Sequence, residues 1–316
     1  MTDLHIQTPL LESLPLSRRS GSRVWLKIDA MQPSGSFKLR GIGRACSHYV
    51  RSGAKELISS SGGNAGIAVA YSGRKLSVRV TVVVPKSTSE RAIELIRQED
   101  AAVIVHGESW QEAHAYAIGL TAPERVCIHP FDDPLVWQGH ATLIDEVAEA
   151  GVIPDAVVVS VGGGGLLCGM VQGLQKNGMS DVPVLGVETE GAASLAGALA
   201  ADALIELEQI TSLATSLGAK KVCEQAFAYR LEHELASLVV SDLQAVNACL
   251  QFADDYRLLV EPACGAALAA VYGRAEWLKN KQSILLVVCG GAGVTIEQLH
   301  RWKSQLITVS TADNNE

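Results

Sequence analysis

Several features that mark secreted, membrane-bound and nucleic-acid-binding proteins are missing from this sequence. Its 316 residues contain no cluster of five or more basic residues and the net charge is -8, so we expect neither nucleic acid nor an anionic membrane surface among its partners. The chain starts without a basic region ahead of an apolar stretch, and no uninterrupted apolar run reaches about 18 residues. We therefore expect a cytoplasmic protein.

Disulfide and metal-binding patterns are missing as well. The seven cysteines are scattered and odd in number, and none forms a C-x-x-C pair, which argues against a disulfide framework and against a thiolate metal site. His233 is not followed by the second histidine of a zinc-protease motif. We expect reduced thiols, most of them in the core, and no catalytic zinc.

The residues that are present indicate an α/β protein. A chain of this length with 48% hydrophobic residues can form one large domain or two modest ones. Short apolar runs rich in β-branched residues alternate with helical patterns, which is typical of mostly parallel sheets. The predicted strands are residues 23–28, 56–59, 80–85, 102–106, 156–161, 183–188 and 284–289. The predicted helices are residues 65–76, 89–98, 166–176, 242–256, 262–277 and 295–303, and the polar tail 310–316 is expected to fray.

Glycines follow three of these strands and precede a helix each time. The segments are ISSSGGNAGIAVAY at 58–71, VVSVGGGGLLCGM at 158–170 and LVVCGGAGVTIEQL at 286–299. Loops beyond the carboxyl ends of parallel strands form the ligand crevice of an open sheet, and helix N-termini there can hold anions. The sequence therefore predicts three anion or ligand loops that point the same way.

The tetraglycine and one lysine indicate the kind of ligand. Residues 162–165 fit neither the dinucleotide fingerprint nor the P-loop, but four glycines let several N–H groups converge on one phosphate; a merely flexible loop is the alternative. Lys38, in SGSFKLRG, is either a solvated turn lysine or an amine held over a cofactor. A phosphate loop, a separate lysine and polar loops at one crevice are the parts of a pyridoxal phosphate site.

A series of motifs makes the chain resemble a known family. The motifs are TPLLES, SGSFKLRG, SSGGNAG, HPFDDPLVWQGHAT, SVGGGGLLCG, VETEGA, TSLGAKKV, EPACGAALAAVY and VVCGG. In this order they are similar to the serine/threonine dehydratases of the fold-type II pyridoxal-phosphate enzymes, especially the compact serine dehydratases without a regulatory domain. The resemblance spans almost the whole chain.

The resemblance implies an architecture. It is an α/β, tryptophan synthase β-like fold with mostly parallel twisted sheets and the cofactor between two domains. We place the small domain at residues 34–134 and the large domain at residues 1–33 and 135–316. A homodimer and a small amino-acid substrate are also implied.

The resemblance further implies which residues form the site. Lys38 is similar to the family's Schiff-base lysine, and the other cofactor contacts implied are Phe37, Asn64, Gly162, Gly163, Gly164, Gly165, Leu166, Ser216 and Cys289. Phe37 and Ser216 would pack on the two faces of the ring, Asn64 would bond its 3-hydroxyl, and residues 162–166 would hold the phosphate. The implied substrate contacts are Ser61, Gly62, Gly63, Asn64 and Ala65 for the carboxylate, and Phe131 near the side chain.

Glu188 ends an apolar strand, where a carboxylate is costly unless it is paired. One interpretation is a structural salt bridge. The other, implied by the resemblance, is a monovalent cation bound by Glu188 and by backbone carbonyls like those of Ala192, Leu217 and Ala219. Hard oxygen ligands suit potassium or a similar ion.

The implied reaction is a β-elimination. Lys38, displaced from the cofactor by the substrate amine, would remove the Cα proton as general base, and the β-hydroxyl would then leave. The cofactor phosphate is implied as the acid for that hydroxyl. Hydrolysis would give ammonia with pyruvate from L-serine or 2-oxobutanoate from L-threonine.

Cys289 ends a buried strand, either as a small apolar filler or, as the resemblance implies, as the partner of the ring nitrogen. A thiol cannot hold a protonated ring nitrogen as a carboxylate does. The ring would then be a weaker electron sink, which favours elimination over transamination. The family commonly has Ser-Asn after CGG, whereas Ala292 and Gly293 stand here, so hydrogen bonds from that turn stay open.

Three other functions remain open from the sequence. A synthase that adds a thiol would use the same lysine and phosphate loop, but such enzymes more often have a serine at Cys289 and a threonine at Ala65. A serine racemase is nearer, although the resembling racemases carry a serine, their second proton donor, at Gly62. A cofactor-free binding protein is the non-enzyme alternative. Preference between serine and threonine also stays open, because one methyl group is worth only about 1 to 3 kcal/mol.

Overall fold

The computed structural model describes the backbone of residues 3–313 and the side chains of residues 3–308. The strands are β1 (Leu10–Glu12), β2 (Arg23–Ile28), β3 (Glu56–Ser59), β4 (Arg79–Val84), β5 (Ala102–Val105), β6 (Arg125–Cys127), β7 (Ala156–Ser160), β8 (Val184–Thr189), β9 (Leu235–Val240) and β10 (Ser283–Val288). The α-helices are α1 (Leu14–Ser20), α2 (Lys38–Arg51), α3 (Asn64–Leu76), α4 (Glu90–Arg97), α5 (Trp110–Gly119), α6 (Pro134–Glu149), α7 (Gly165–Lys176), α8 (Ser194–Ala201), α9 (Glu224–Ala228), α10 (Asp242–Tyr256), α11 (Pro262–Tyr272) and α12 (Ile296–Asp313).

The strands form two sheets. One has six strands in the order β1-β2-β10-β7-β8-β9 and the other has four in the order β5-β4-β3-β6. All neighbouring strands are parallel except β1 and β2. Every residue of β7 and β8 is buried, as expected for parallel strands covered on both faces. The predicted α/β class with mostly parallel strands is confirmed.

The two sheets use separate parts of the chain. The strands of the four-stranded sheet all lie between Glu56 and Cys127, and those of the six-stranded sheet lie outside that interval. This separation supports the proposed small domain of residues 34–134. Its boundaries stay a prediction.

All seven predicted strands are present, and their ends differ from the prediction by at most one residue. The short strands β1 and β6 and the partly exposed β9 were missed, as were helices such as α2 and α6. The predicted helix from Pro262 ends at Tyr272 because Arg274 turns the backbone to a φ of 55° before a short 3-10 helix. The last helix continues to Asp313, through most of the tail predicted to fray, and residues 314–316 lie outside the described residues. No helix in the described part is both long and apolar enough to cross a membrane.

Candidate active site

The three glycine-rich loops meet at one crevice. Asn64, at the start of α3, accepts a hydrogen bond from the backbone N–H of Ala292 in the third loop, with N and Oδ1 3.1 Å apart. Its Nδ2 lies 3.4 Å from Oγ of Ser216. A Cβ atom at Gly162, in the tetraglycine loop, would stand 3.0 Å from Cα of Leu217. The predicted convergence of the loops is therefore present in the fold.

Lys38 is the first residue of α2 and is half-buried at this crevice. Its ammonium group donates a hydrogen bond to the carbonyl oxygen of Pro130 at 2.6 Å. Burial lowers the pKa of Lys38 to about 8, although the charge of the nearby Glu261 acts to raise it. This environment does not fit a solvated turn lysine, and it gives the amine a pKa close to neutrality.

The segment before Lys38 pairs with the end of β10. The backbone N–H of Phe37 donates to the carbonyl of Cys289 at 3.0 Å, and Ser36 forms an isolated antiparallel bridge with Gly290. The Phe37 ring lies 4.9 Å from the ring of His140. These contacts hold the lysine and Cys289 in the same crevice.

A buried ionic cluster holds α2 two residues after the lysine. The Arg40 guanidinium binds both carboxylate oxygens of Asp29, at 2.6 and 2.9 Å, and also the carboxylate of Glu146. Lys27 pairs with Glu146 and donates to the carbonyl of Thr8. Burial alone would raise the pKa of Glu146, but the hydrogen bonds and charges of Arg40 and Lys27 lower it. The cluster carries two positive and two negative charges, so it anchors the helix without leaving a buried charge unpaired.

Close packing around the tetraglycine loop leaves no room for side chains, so it requires glycine there. A Cβ at Gly163 would lie 2.4 Å from ring carbons of Phe131, and one at Gly165 would lie 2.5 Å from the Phe131 carbonyl oxygen. Gly164 has a φ of 92° and precedes α7. Leu166 packs its side chain into the core, so only its backbone can face a ligand. The loop is therefore a tight turn and not a flexible link.

This loop fits a phosphate group. Four bare backbone positions end at the N-terminus of α7, whose first N–H groups have no acceptor within the helix. A Cβ at residue 163 or 165 would collide with Phe131, one at residue 164 would collide with Ala226, and one at residue 162 would be in tight contact with Leu217. The cradle and the Lys38 amine together fit pyridoxal phosphate.

Phe131 packs against the tetraglycine loop and is held there by a hydrogen bond to its backbone carbonyl. That oxygen accepts a hydrogen bond from Nε1 of Trp137 at 2.7 Å. The ring also meets the His129 ring edge-on, with centroids 4.7 Å apart. Phe131, His129 and Trp137 line a cavity of about 410 Å³. The predicted substrate contact of Phe131 stays a prediction.

The loop from Ser61 to Ala65 leads into α3. The Ser61 hydroxyl accepts the backbone N–H of Gly63 at 3.3 Å, and Ala65 is buried. A Cβ at Gly62 would lie 2.7 Å from Cγ2 of Thr88. The start of α3 offers backbone N–H groups suited to a carboxylate, as the substrate prediction requires.

Cys289 carries a thiol that stays uncharged. A hydrogen bond with Cys264 and burial raise the pKa of Cys289 well above its ordinary value. Cys289 is buried, and its backbone carbonyl accepts the N–H of Phe37, the residue before Lys38; its contact with the ring nitrogen stays a prediction. Ala292, the residue after the CGG motif, donates its backbone N–H to Oδ1 of Asn64, while the effect of the departure from Ser-Asn stays open.

Glu261 is a residue of the crevice that the sequence analysis did not assign. It lies immediately before α11, and its Oε1 accepts a hydrogen bond from Nδ2 of Asn64 at 2.7 Å. Burial raises the pKa of Glu261 to about 6, against hydrogen bonds from Ser216 and Asn64 and the charge of Lys38. The motif EPACGAALAAVY was the available signal, because Glu261 is its first residue.

Glu188 is fully buried, and no cationic side chain of the described residues pairs with it. Its two oxygens accept the backbone N–H groups of Leu195 and Ala196, at 2.8 and 2.7 Å. Among the described side chains, none of the ion pairs includes Glu188, so the salt-bridge interpretation is wrong for this part of the chain. Burial raises the pKa of Glu188 to about 7. A buried carboxylate without a counter-ion is an oxygen ligand that suits a monovalent cation.

The other predicted cation ligands, Ala192, Leu217 and Ala219, lie on segments that hydrogen bonds connect to the end of β8. Ala192 forms a bridge with Thr189 next to Glu188. The hydroxyl of Thr189 is 2.7 Å from that of Ser212, and the 3-10 helix that follows Ser212 ends at Leu217, whose carbonyl accepts the N–H of Ala219. Their role as ligands stays a prediction.

Comparisons with known proteins agree with this geometry. A family model described as "Pyridoxal-phosphate dependent enzyme" matches residues 1–290. An L-serine dehydratase/L-threonine deaminase of Homo sapiens is 46% identical over 314 residues, which cover 96% of this chain and 96% of that protein. An L-serine dehydratase of Dictyostelium discoideum is 43% identical over 318 residues, covering 94% of this chain and 91% of that protein. A solved fungal L-serine ammonia-lyase from Rhizomucor miehei has a TM-score of 0.91 at 35% identity, covering 96% of this chain and 99% of that one.

Proposed function

Because the chain belongs to the pyridoxal-phosphate-dependent enzyme family, we propose that it is an L-serine and L-threonine dehydratase. It would convert these amino acids into ammonia and a 2-oxo acid by β-elimination. The observation that carries the proposal is the Lys38 amine, half-buried and with a pKa near 8, where three glycine-rich loops meet. The relatives' names indicate the substrate class.

The residues that would hold pyridoxal phosphate are those of the crevice. The backbone of residues 162–166 would take the phosphate, Lys38 would bind the aldehyde carbon, and Asn64 would bond the ring hydroxyl. The bound cofactor supplies the electron sink that allows the substrate's α-carbon to lose a proton. The remaining chemistry belongs to the side chains and backbone of this chain.

Lys38 is suited to move the α-proton. An amine with a pKa near 8 is neutral in about one molecule in ten at pH 7, whereas one at the ordinary 10.5 is neutral in about one in three thousand. The neutral Nζ can accept the proton from Cα of the substrate. The Pro130 carbonyl, 2.6 Å from Nζ, keeps the amine oriented within the crevice.

The loop that starts α3 would bind the substrate carboxylate. The N–H groups of the first turn lack helical acceptors and face the positive end of the helix dipole. The Ser61 hydroxyl holds the N–H of Gly63, which keeps this loop closed on itself. The substrate's α-carbon would then lie between that loop and Lys38.

Cys289 would keep the environment of the ring nitrogen uncharged. Its raised pKa means that the thiol is not ionised near neutrality. It can offer a weak hydrogen bond but no negative charge. This supports elimination over reactions that need a strongly stabilised carbanion.

We also propose a potassium ion at Glu188, a homodimer and a cytoplasmic location. The first is supported by the buried carboxylate of Glu188, which has hydrogen-bond donors but no counter-ion among the described side chains. The other two follow from the resemblance and from the sequence composition. Light scattering of the purified protein tests the dimer, and cell fractionation tests the location.

Release of 2-oxo acid from L-serine and L-threonine tests the main proposal. The purified protein, reconstituted with pyridoxal phosphate, should give ammonia and 2-oxo acid in equal amounts from at least one of the two. Lys38→Ala is the control and should give none. If the protein binds the cofactor but releases no 2-oxo acid from either amino acid, the proposal is wrong.

Chiral analysis of the same reaction separates the dehydratase from a racemase. Racemisation needs a second proton donor on the cofactor face opposite Lys38, and Gly62 has no side chain to supply one. L-serine should therefore give pyruvate with little D-serine. Accumulation of D-serine at a rate comparable to that of pyruvate would favour the racemase.

A further inference from the structure

Glu261 and Asn64 form a hydrogen-bonded pair at the centre of the crevice. Glu261 comes from the N-terminus of α11 in the six-stranded part of the fold, and Asn64 from the N-terminus of α3 beside the four-stranded sheet. They are 197 residues apart in the chain, yet Oε1 and Nδ2 are only 2.7 Å apart. The carboxylate is therefore in contact with a residue predicted to bond the cofactor.

The amide of Asn64 is held at both of its ends. Its oxygen accepts the backbone N–H of Ala292 at 3.1 Å, and its nitrogen donates to Glu261. Rotating the amide by 180° would place its oxygen against the Glu261 carboxylate and its NH₂ group against the Ala292 N–H. Both contacts would then be repulsive, so only one orientation is compatible with these neighbours.

One N–H of the amide remains available in that orientation. Nδ2 carries two hydrogens, and the first is used by Glu261. The second has Ser216 Oγ as its acceptor at 3.4 Å, which is a long contact for an N–H···O bond. A ligand oxygen in the crevice can take this hydrogen without breaking a short bond.

The position of Glu261 is itself restricted. A Cβ at Gly291 would lie 2.1 Å from Cδ of Glu261, so this glycine leaves the space that the carboxyl group occupies. The side chain makes no capping hydrogen bond to α11. Its contacts are therefore directed to the crevice and not to the helix that it precedes.

We infer that Glu261 is a positioning residue, which fixes the Asn64 amide so that its free N–H meets an anionic oxygen of the bound ligand. Resting on the proposed function, that oxygen is the ring hydroxyl of pyridoxal phosphate. A donor fixed in advance does not lose rotational freedom when the ligand binds. Glu261 therefore increases cofactor affinity and favours the ionised form of the ring hydroxyl without touching it.

Cofactor binding by single and double variants tests this role. Binding of pyridoxal phosphate to the apoprotein is titrated through its absorbance for Glu261→Ala, Glu261→Gln, Asn64→Ala and the double alanine variant. Glu261→Ala should weaken binding at least tenfold and move the bound cofactor's absorbance from the visible to the near-ultraviolet band. Glu261→Gln keeps an acceptor for Nδ2 and should stay within about threefold of the wild type, because most of the effect is the hydrogen bond.

The double variant decides whether Glu261 acts through Asn64. If it does, adding Glu261→Ala to Asn64→Ala should change the affinity and the band ratio by less than twofold. Glu56→Gln, a buried carboxylate outside the crevice that bonds Thr81, is the control and should bind the cofactor like the wild type. The inference is wrong if the affinity losses of Glu261→Ala and Asn64→Ala add up in the double variant. It is also wrong if Glu261→Ala leaves the spectrum of the bound cofactor unchanged.

A more conservative variant covers the case in which the alanine variant is unstable. If Glu261→Ala does not fold, Glu261→Asp, which shortens the side chain by one methylene, should reproduce the spectral change in a folded protein. None of these readouts needs a substrate. Normal cofactor binding without 2-oxo acid release would therefore refute the proposed function and leave the role of Glu261 standing.

Discussion

Replacing Glu188 should change how the stability of the protein depends on pH. Glu188 is fully buried, and burial raises its pKa from 4.5 to about 7. Well below pH 4.5 the carboxyl group is protonated in both the folded and the unfolded chain, so its burial as a charge does not lower the free energy of unfolding. As the pH rises from 4.5 to 7 the unfolded chain releases this proton before the folded one does, and the free energy of unfolding falls.

The size of the effect follows from the two pKa values. The rise of the pKa from 4.5 to about 7 corresponds to a fall of about 3 kcal/mol in the free energy of unfolding, at 1.36 kcal/mol per pH unit. Between pH 5 and pH 8 the wild type should lose about 2.5 kcal/mol more than Glu188→Gln, in a salt whose cation is too large to bind. A bound potassium ion favours the ionised carboxylate, so in potassium chloride this extra loss should be smaller.

Urea unfolding at pH 5 and pH 8 measures these differences. Each protein is unfolded in potassium chloride and in tetramethylammonium chloride at equal ionic strength. Glu56→Gln is the matched control, because Glu56 is also buried but already has Arg125 as its counter-ion, and it should show no dependence on the cation. Identical pH dependence of the wild type and Glu188→Gln in tetramethylammonium would refute the raised pKa. Equal stability of the wild type in both salts at pH 8 would refute the cation site.

Three further predictions concern Lys38, Gly62 and Arg40. The purified wild type should be yellow and show a visible imine band that is absent in Lys38→Ala; a colourless wild type that cannot be reconstituted with pyridoxal phosphate would contradict this. Cofactor uptake by the apoprotein should accelerate with pH around the Lys38 pKa of about 8, and uptake that does not change between pH 6 and 9 would contradict that pKa. Gly62→Ser should raise D-serine formation only together with Thr88→Ala, because the new Cβ would otherwise lie 2.7 Å from Thr88; efficient racemisation by the single variant, with an unchanged melting temperature, would show that no space is needed. Arg40→Lys cannot keep both bonds to Asp29 and should cost about 3 kcal/mol in urea unfolding, since it breaks a buried pair; a loss below about 1 kcal/mol would show that the cluster is not needed to hold α2.

The sequence was sufficient for seven of the ten strands, all except β1, β6 and β9, and for the three glycine-rich loops. Buried parallel strands are continuous β-branched runs, so β7 and β10 could be placed within one residue. The glycines and Lys38 were recognisable because their chemistry depends on residue type at a fixed spacing. Helix α2 was missed; Gly41 and Gly43 lower its intrinsic helix propensity, and packing against α6 and α3 stabilises it.

The contacts between distant residues could not be predicted. Asp29 and Glu146 lie 11 and 106 residues from Arg40 in the chain, and no local pattern marks them as its partners. Glu261 looks like any polar residue before a helix, and only the folded chain shows that it meets Asn64. A single sequence gives residue types, whereas these functions depend on which side chains the fold places within about 3 Å of each other.

The identities of residue 131 and of the tetraglycine loop depend on each other. A Cβ at residue 163 or 165 would overlap the Phe131 ring or its carbonyl, and Trp137 prevents that carbonyl from moving away. A mutant library that randomises the loop alone should therefore return glycine at both positions among active clones. One that also randomises residue 131 to smaller side chains opens room at residue 163 but not at 165, where the obstacle is backbone. A side chain at residue 163 of the loop therefore requires a smaller residue at position 131 as well.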